Sequence, residues 1–367
     1  MEVDFFSFNY CPEALRHEWM NSLRKTIDDG IFIGGQTVLN FEKAWADFTE
    51  SRYAIGVSNG LDGLVLALRS LNLKNGDNVA VPAHTFIATW NAIISVGATP
   101  IGVDVDKNGL LDLEEFSKIY EEVQAIIPVH MHGATVNMKA LSDICQRRAD
   151  KPIHIIEDAS QAHGALLPDG NQIGRFSDLV VYSLYPTKNL GGLGDAGVIT
   201  TNRKELNDRI RSLSNYGQTK GNKYLHSELG YNNRLDPIHA SVLSHNLTRL
   251  TEWNNNRREL GNLYISELVD SIEILQLDRQ DSVRHHFCVL TPDRDNLQRY
   301  LLDRGIKTEI HYPRVAGIEA NHFLGRVSKF PNSEKIANET LSLPLSQWHN
   351  LDQVQYVASQ VKAWARR

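Results

Sequence analysis

Between Tyr53 and Asn202 short β-branched apolar runs alternate with amphipathic segments, and that alternation leaves few folds open. Strands that are apolar at nearly every position are buried on both faces, the condition of a parallel sheet wrapped by helices. The expected strands are Ala54–Ser58, Val79–Pro82, Pro100–Asp104, Ala125–Val129, His154–Asp158, Leu179–Leu184 and Gly197–Thr201. Between them, Leu61–Leu71, Ile87–Val96, Leu113–Val123 and Met138–Arg148 repeat apolar residues every three or four positions and are expected to be helices. Leu184 to Gly197 is too short and too glycine-rich for a crossover helix, so the last two strands should neighbour each other through a loop. The expected fold is therefore α/β: a mostly parallel seven-stranded sheet with one antiparallel member and helices on both faces.

Beyond Asp236, a helical stretch over Pro237–Leu268, the strand-like His286–Leu290, a helix over Asp295–Arg304 and the segment Gly305–Tyr312 predict a smaller C-terminal α+β domain. The expected division is 1–245 and 246–367. A chain of 367 residues with 42% hydrophobic content can bury both cores. Its net charge of −6, with Lys and Arg dispersed, gives no footprint for nucleic acid or an anionic membrane. No stretch reaches the about 18 apolar residues of a membrane span, and Met1-Glu2-Val3-Asp4 lacks the basic start of a secretion signal. Cys11, Cys145 and Cys288, odd in number and widely spaced, read as buried thiols of a reducing, cytoplasmic setting.

In an α/β sheet, ligands gather beyond the carboxyl ends of the strands. Four such ends carry polar residues: Ser58-Asn59-Gly60 before a helix, His130 and His132 after Val129, Asp158, and the run Ser183–Lys188. Lys188 follows an apolar strand, where a sheltered amine loses charge and gains nucleophilicity, as imine chemistry requires. Asp158 closes another strand with an acid able to pair with a pyridinium nitrogen. Together they suggest pyridoxal 5'-phosphate. Asn59 and Gly60, opening a helix, offer free N–H groups to its phosphate, and Ser183 adds a hydroxyl.

Singly, a strand-end Asp or a loop Lys is more often a cap or a solvated charge, so only the conjunction carries chemistry. Gly192-Leu193-Gly194-Asp195-Ala196-Gly197 matches a dinucleotide-binding pattern but precedes a strand and opens no helix, which removes that reading. His130 and His132 lack an evident third metal ligand, and the adjacent His285 and His286 would face opposite sides of a strand, so no metal is expected.

The motifs EDASQAHGA (157–165), SLYPTKNLGGLGDAG (183–197) and GYNNRLD (230–236) resemble, in order and spacing, the DegT/DnrJ/EryC1/StrS family of sugar aminotransferases, fold type I pyridoxal-phosphate enzymes. The similarity runs from about Phe6 to His311. It implies that Lys188 binds the cofactor as a Schiff base, Asp158 pairs with the ring nitrogen, and Gln161 lies near the ring hydroxyl. Phe86, in PAHTFIAT (82–89), would stack on the ring with Ser160 on its other face. The phosphate would be held by Asn59, Gly60 and Ser183, with Asn232 reaching across from the partner subunit of a homodimer whose sites are shared.

The implied substrates are a nucleotide-linked keto sugar and L-glutamate. Tyr185, His311 and Tyr312 would lie near the sugar, and Lys223, Tyr224 and His226 near its diphosphate. The loop Tyr185–Asp195 is similar to that of members aminating carbon 3, and unlike the P-x-K-x-x-T/S-x-G-E-G-G loop of carbon-4 members. A dTDP-linked 3-keto-6-deoxyhexose is thus the expected acceptor, with a 4-keto sugar as the alternative. Pro237 and His239 stand where the family usually has Glu and Gln, and His132 where Tyr is common. Two rivals keep the fold: a sugar dehydratase, in which histidine replaces the lysine, and a non-catalytic sensor.

Overall fold

The computed structural model describes residues 1–148, 151–219, 221–279, 281–324 and 328–367. Seven strands, β1 (Tyr53–Val57), β2 (Asn78–Pro82), β3 (Thr99–Val103), β4 (Ala125–Ile126), β5 (His154–Asp158), β6 (Leu179–Ser183) and β7 (Gly197–Thr201), form one sheet in the order β1-β7-β6-β5-β4-β2-β3. The strand β7 runs antiparallel to both β1 and β6 while the remaining pairs are parallel, as the short glycine-rich connection required. β4 is shorter than the expected Ala125–Val129 because Pro128 has no amide hydrogen to give the ladder. The chain still stays in register there, since Ile127 N donates to Ala80 O and Asp158 N to Pro128 O.

The helices in the first half are α1 (Glu13–Asp29), α2 (Gly35–Phe48), α3 (Gly60–Ser70), α4 (Ile87–Ser95), α5 (Leu113–Phe116), α6 (Met138–Gln146) and α7 (Lys204–Leu213). α5 departs from the expected helix over Leu113–Val123. It stops after one turn and a separate 3-10 turn covers Tyr120–Glu122, because Val123 must already be extended to lead into β4. The expected stretch Pro237–Leu268 is likewise two helices, α8 (Pro237–Leu247) and α9 (Leu250–Leu268). Pro237 occupies the first turn of α8, where its missing N–H costs nothing.

Alternate strand residues face opposite layers, as a period of two demands. Ala54, Ala80, Ile155, Val180 and Tyr182 pack against Phe41 and Trp45 of α2, Leu141 of α6 and Leu243 of α8. Ile55, Val79, Ile156, Val181 and Ile199 pack against Leu64 and Leu68 of α3, Trp90 of α4 and Ile210 of α7. A second, antiparallel sheet has the order β10-β9-β8, with β8 (Glu273–Ile274), β9 (Phe287–Leu290) and β10 (Thr340–Leu343). α9, α10 (Arg294–Leu302) and, beyond α11 (Ala316–Phe323) and α12 (Pro331–Glu339), α13 (Leu351–Ala365) cover it with Tyr264, Leu301 and Val357. Val3 from the N-terminus joins this core through its bridge to Ile306. Cys11, Cys145 and Cys288 are free and buried, and no helix among the described residues is long and apolar enough to cross a membrane.

β1 is an edge strand, and its outward backbone groups are satisfied by side chains in place of a neighbouring strand. Gly56 N donates to Glu42 Oε1 at 2.8 Å, Arg211 Nη2 donates to Ala54 O at 3.0 Å, and Arg211 Nη2 lies 2.8 Å from Glu42 Oε2. Glu42 is buried, so replacing it by Leu strands the Gly56 N–H, while the exposed guanidinium of Arg211 loses an ion pair and keeps Ala54 O. We expect Glu42→Leu to lose about 2 kcal/mol of stability in denaturant unfolding, with Arg211→Lys losing less. Unchanged unfolding midpoints would contradict this account of the edge.

Candidate active site

The parallel strands end on one side of the large sheet, and there the chain encloses a cavity of about 590 Å³, a volume suited to a small-molecule ligand. Asn59, Gly60, Phe86, Asp158, Ser160, Gln161, Ser183, Tyr185, Lys188, His311 and Tyr312 all line it. Strand ends of the large sheet thus bring most of these residues into one site, and the segment between α10 and α11 adds His311 and Tyr312.

Asp158, the last residue of β5, is held at both carboxylate oxygens. Thr89 Oγ1 donates to Oδ2 at 3.0 Å and Ser160 N donates to Oδ1 at 3.1 Å. Thr85 Oγ1 lies 3.2 Å from Thr89 Oγ1, which extends the chain of hydroxyls along the start of α4. The carboxylate therefore has a fixed direction before any ligand arrives. Lys188 lies on the loop after β6, and burial lowers its pKa from 10.5 to about 8 against the opposing pull of Asp158. Near neutral pH a useful fraction of this amine is uncharged and nucleophilic.

Around Lys188 the loop is pinned by a buried amide network. Asn189 Nδ2 donates to Asn254 Oδ1 at 2.9 Å and to Val283 O at 3.0 Å, while its Oδ1 lies 2.9 Å from His285 Nδ1. Asn254 Nδ2 in turn donates to His163 O, and His163 Nε2 donates to Ser183 O at 2.8 Å. Burial and the charge of Lys188 push His163 down to about 3, so it serves as a neutral donor. Gly191 permits the fold of this loop, because a Cβ there would lie 2.3 Å from Pro186 O. His239 packs over Gly194 of the same loop, where a Cβ would come within 2.8 Å of its Nε2.

At the other end of the cavity α3 begins. Asn59 caps it by accepting from Asp62 N at 2.9 Å, which leaves the Gly60 and Leu61 N–H groups without partners among the described residues. Gly60 is required, since a Cβ would sit 2.9 Å from Ser183 Cβ and close the gap between α3 and β6. An open helix start beside a hydroxyl is an anion site. Phe86 is 54% exposed although it lines the cavity, and its ring contacts Tyr312 at 5.4 Å. Such a bare aromatic face suits a flat ring. Gln161 Oε1 accepts from His132 N at 2.7 Å and Gln161 Nε2 donates to Tyr312 Oη at 3.1 Å, tying one wall to the other.

Asn232, Lys223, Tyr224 and His226 do not line this cavity. All four are exposed on the segment between α7 and α8, with Tyr224 84% accessible. Sequence reasoning passed over Thr89, His163 and Asn189, although Thr89 lies in the same PAHTFIAT run as Phe86. It also assigned His285 and His286 to opposite faces of a strand. That expectation fails because β9 starts only at Phe287, and both histidines line the cavity.

Comparison with known proteins agrees with this geometry. The family model of the DegT/DnrJ/EryC1/StrS aminotransferases matches residues 13–362. The dTDP-3-amino-3,4,6-trideoxy-alpha-D-glucose transaminase of Streptomyces venezuelae is 37% identical over 373 residues, covering 100% of this chain and 97% of the relative. The dTDP-3-amino-3,6-dideoxy-alpha-D-galactopyranose transaminase of Aneurinibacillus thermoaerophilus is 36% identical over 368 residues, with 99% of each covered. The X-ray structure of DesV from S. venezuelae, in complex with a ketimine intermediate, superimposes with a TM-score of 0.95 at 37% identity, over 100% of this chain and 99% of that one. This chain belongs to the DegT/DnrJ/EryC1/StrS aminotransferase family.

Proposed function

We propose that this protein is a pyridoxal-phosphate-dependent transaminase that takes the amine of L-glutamate and delivers it to carbon 3 of a dTDP-linked 3-keto-6-deoxyhexose. The observation that carries the reading is one cavity in which a lysine of lowered pKa, a doubly anchored aspartate, an open helix start and a bare aromatic ring converge. When bound, the cofactor supplies a carbonyl that carries the amine and a ring that accepts the electrons of the breaking C–H bond. The residues present fit that group.

Lys188 would bind it covalently through its amine and, with that amine free, would hold and move a proton at Nζ between substrate and cofactor carbons. Asp158, oriented by Thr89 and Ser160 N, would keep a proton on the ring nitrogen. Phe86 and Ser160 would flank the ring, with Gln161 near the ring hydroxyl. The Asn59-capped start of α3, through Gly60, and Ser183 would hold the phosphate. Tyr185, His311 and Tyr312 border the space left for the hexose. The lysine argues against the dehydratase reading.

The homodimer is part of the proposal. Asn232, Lys223, Tyr224 and His226 lie outside their own cavity and exposed, which supports their use in the site of a second copy, Asn232 at the phosphate and the others at the sugar diphosphate. Ile31, Phe32 and Ile33, exposed in succession, give such a copy apolar surface to cover. The division at 1–245 and 246–367 is supported by Leu243 of α8 in the large core and Leu260 and Tyr264 of α9 in the small one, with Leu247 and Leu250 just past the boundary still packed on the large core. The Streptomyces venezuelae and Aneurinibacillus thermoaerophilus relatives, both named as transaminases of 3-amino dTDP sugars, support carbon 3. The free, buried thiols support a cytoplasmic setting as part of this proposal.

Three outcomes test this reading. Cofactor capture by the cofactor-free protein should speed up as pH rises through about 8, where Lys188 loses its proton, and level off above; a midpoint near 10 would contradict the sheltered amine. Thr89→Val, which removes one donor to Asp158, should weaken cofactor binding about fivefold by absorbance titration, with Thr89→Ser restoring it. Incubation with separate 3-keto and 4-keto dTDP sugars should yield, by NMR, an amine on carbon 3 alone. Amination only at carbon 4 would overturn the regiochemistry and leave the Lys188 role standing.

A further inference from the structure

Besides Lys188, no lysine or arginine lines the cavity among the described residues, so a dicarboxylate amino donor must meet something else there. It meets imidazoles. His286 and His311 stack with ring centroids 3.8 Å apart and planes 16° apart. Each is tied back at Nδ1, His311 to Ser342 Oγ at 2.9 Å and His286 to His132 Nδ1 at 3.2 Å. Both rings line the cavity, and neither Nε2 has a partner among the described residues.

The ties decide where the protons sit. Burial raises the Cys288 thiol to about 11, so it stays protonated, and turning its hydrogen toward Ser342 Oγ, 3.3 Å away, leaves the serine hydrogen free for His311 Nδ1. The serine then donates to His311 Nδ1, which puts the His311 proton on Nε2. His132 Nε2 is buried without a partner, and a bare ring nitrogen there costs less than a stranded N–H. His132 therefore carries its proton on Nδ1 and donates it to His286, whose own proton is left on Nε2. The result is two stacked rings lining one cavity, each with an Nε2–H that has no acceptor among the described residues.

The acceptor-only groups of the two substrates are the donor's carboxylates and the sugar nucleotide's diphosphate, which the reading above assigns to Lys223, Tyr224 and His226; a sugar hydroxyl both accepts and donates. We infer that His286 and His311 together form the subsite for a carboxylate of the amino donor, an inference that rests on the aminotransferase reading above. Neutral donors also suit a site that two substrates occupy in turn. A buried guanidinium would be stranded without its anion whenever the uncharged keto sugar replaced the donor. Burial keeps His311 neutral, near about 4, and His286 well below its usual value, so neither ring carries a fixed charge into that second half.

The test separates the two half-reactions, each followed by cofactor absorbance in a single turnover. His286→Phe keeps the ring stack and removes the donor, whereas His286→Gln supplies a donor without the ring. The L-glutamate concentration for half-maximal rate should rise roughly 10- to 100-fold in His286→Phe, the loss of one hydrogen bond to a charged group, and recover in part in His286→Gln. The sugar-nucleotide half should change by less than about twofold. An unchanged glutamate dependence, or equal losses in both halves, overturns the subsite. Should both variants fail to fold, the wild type decides: glutarate added to 15N-histidine-labelled protein should move the Nε2 signals of two histidines, and unmoved signals overturn it. A wild type inert toward every amino donor sinks the aminotransferase reading itself, whereas normal wild-type turnover with a glutamate-indifferent His286→Phe sinks the subsite alone.

Discussion

The site depends on one electrostatic arrangement: an amine kept from bulk water, facing a carboxylate whose direction is set by other groups. Sheltering lowers the affinity of Lys188 for its proton, and the nearby Asp158 raises it, so the amine settles near about 8 instead of remaining a fixed cation. An aspartate free to rotate onto Lys188 would pair with it and cancel the effect of burial. Thr89 Oγ1 and Ser160 N prevent that by occupying the two oxygens separately. The anchoring of Asp158 and the reactivity of Lys188 are therefore one property seen from two residues.

The rest of the structure maintains that arrangement. β5 delivers Asp158 and β6 delivers Ser183 to the same edge, because parallel neighbours end on the same side of the sheet. The antiparallel β7 then lets the chain turn straight back after β6, which leaves Lys188 on a short loop above the sheet instead of inside a crossover helix. Asn189 pins that loop to the rest of the fold, its amide fully used by Asn254, Val283 and His285. Through it the lysine loop is locked to the segment preceding β9, so the histidine wall and the lysine are positioned by a single buried network.

Much of this was legible in the sequence, and the reasons differ by element. Strands buried on both faces leave continuous apolar runs, so all seven were found near their true positions, and the antiparallel member followed from connection length. The helix over Leu113–Val123 failed because its periodicity was right for side-chain burial yet the chain needed extended backbone at Val123 to enter β4. β4 itself was overestimated because pairing persists past Pro128 without a regular ladder. The site residues at strand ends were found since their placement follows from topology. Thr89 and Asn189 were missed because their importance lies in which atom each side chain reaches across the fold, a relation no local pattern carries. His285 and His286 were misassigned because the strand begins one residue later than expected, at Phe287.

The central claim is that Lys188 is the residue that takes the cofactor. Borohydride treatment of the protein loaded with pyridoxal phosphate, followed by peptide mass mapping, tests it without any substrate. The account predicts a single stable adduct on the peptide containing Lys188, absent from Lys188→Ala. An adduct on another lysine, or none in the wild type, would contradict it.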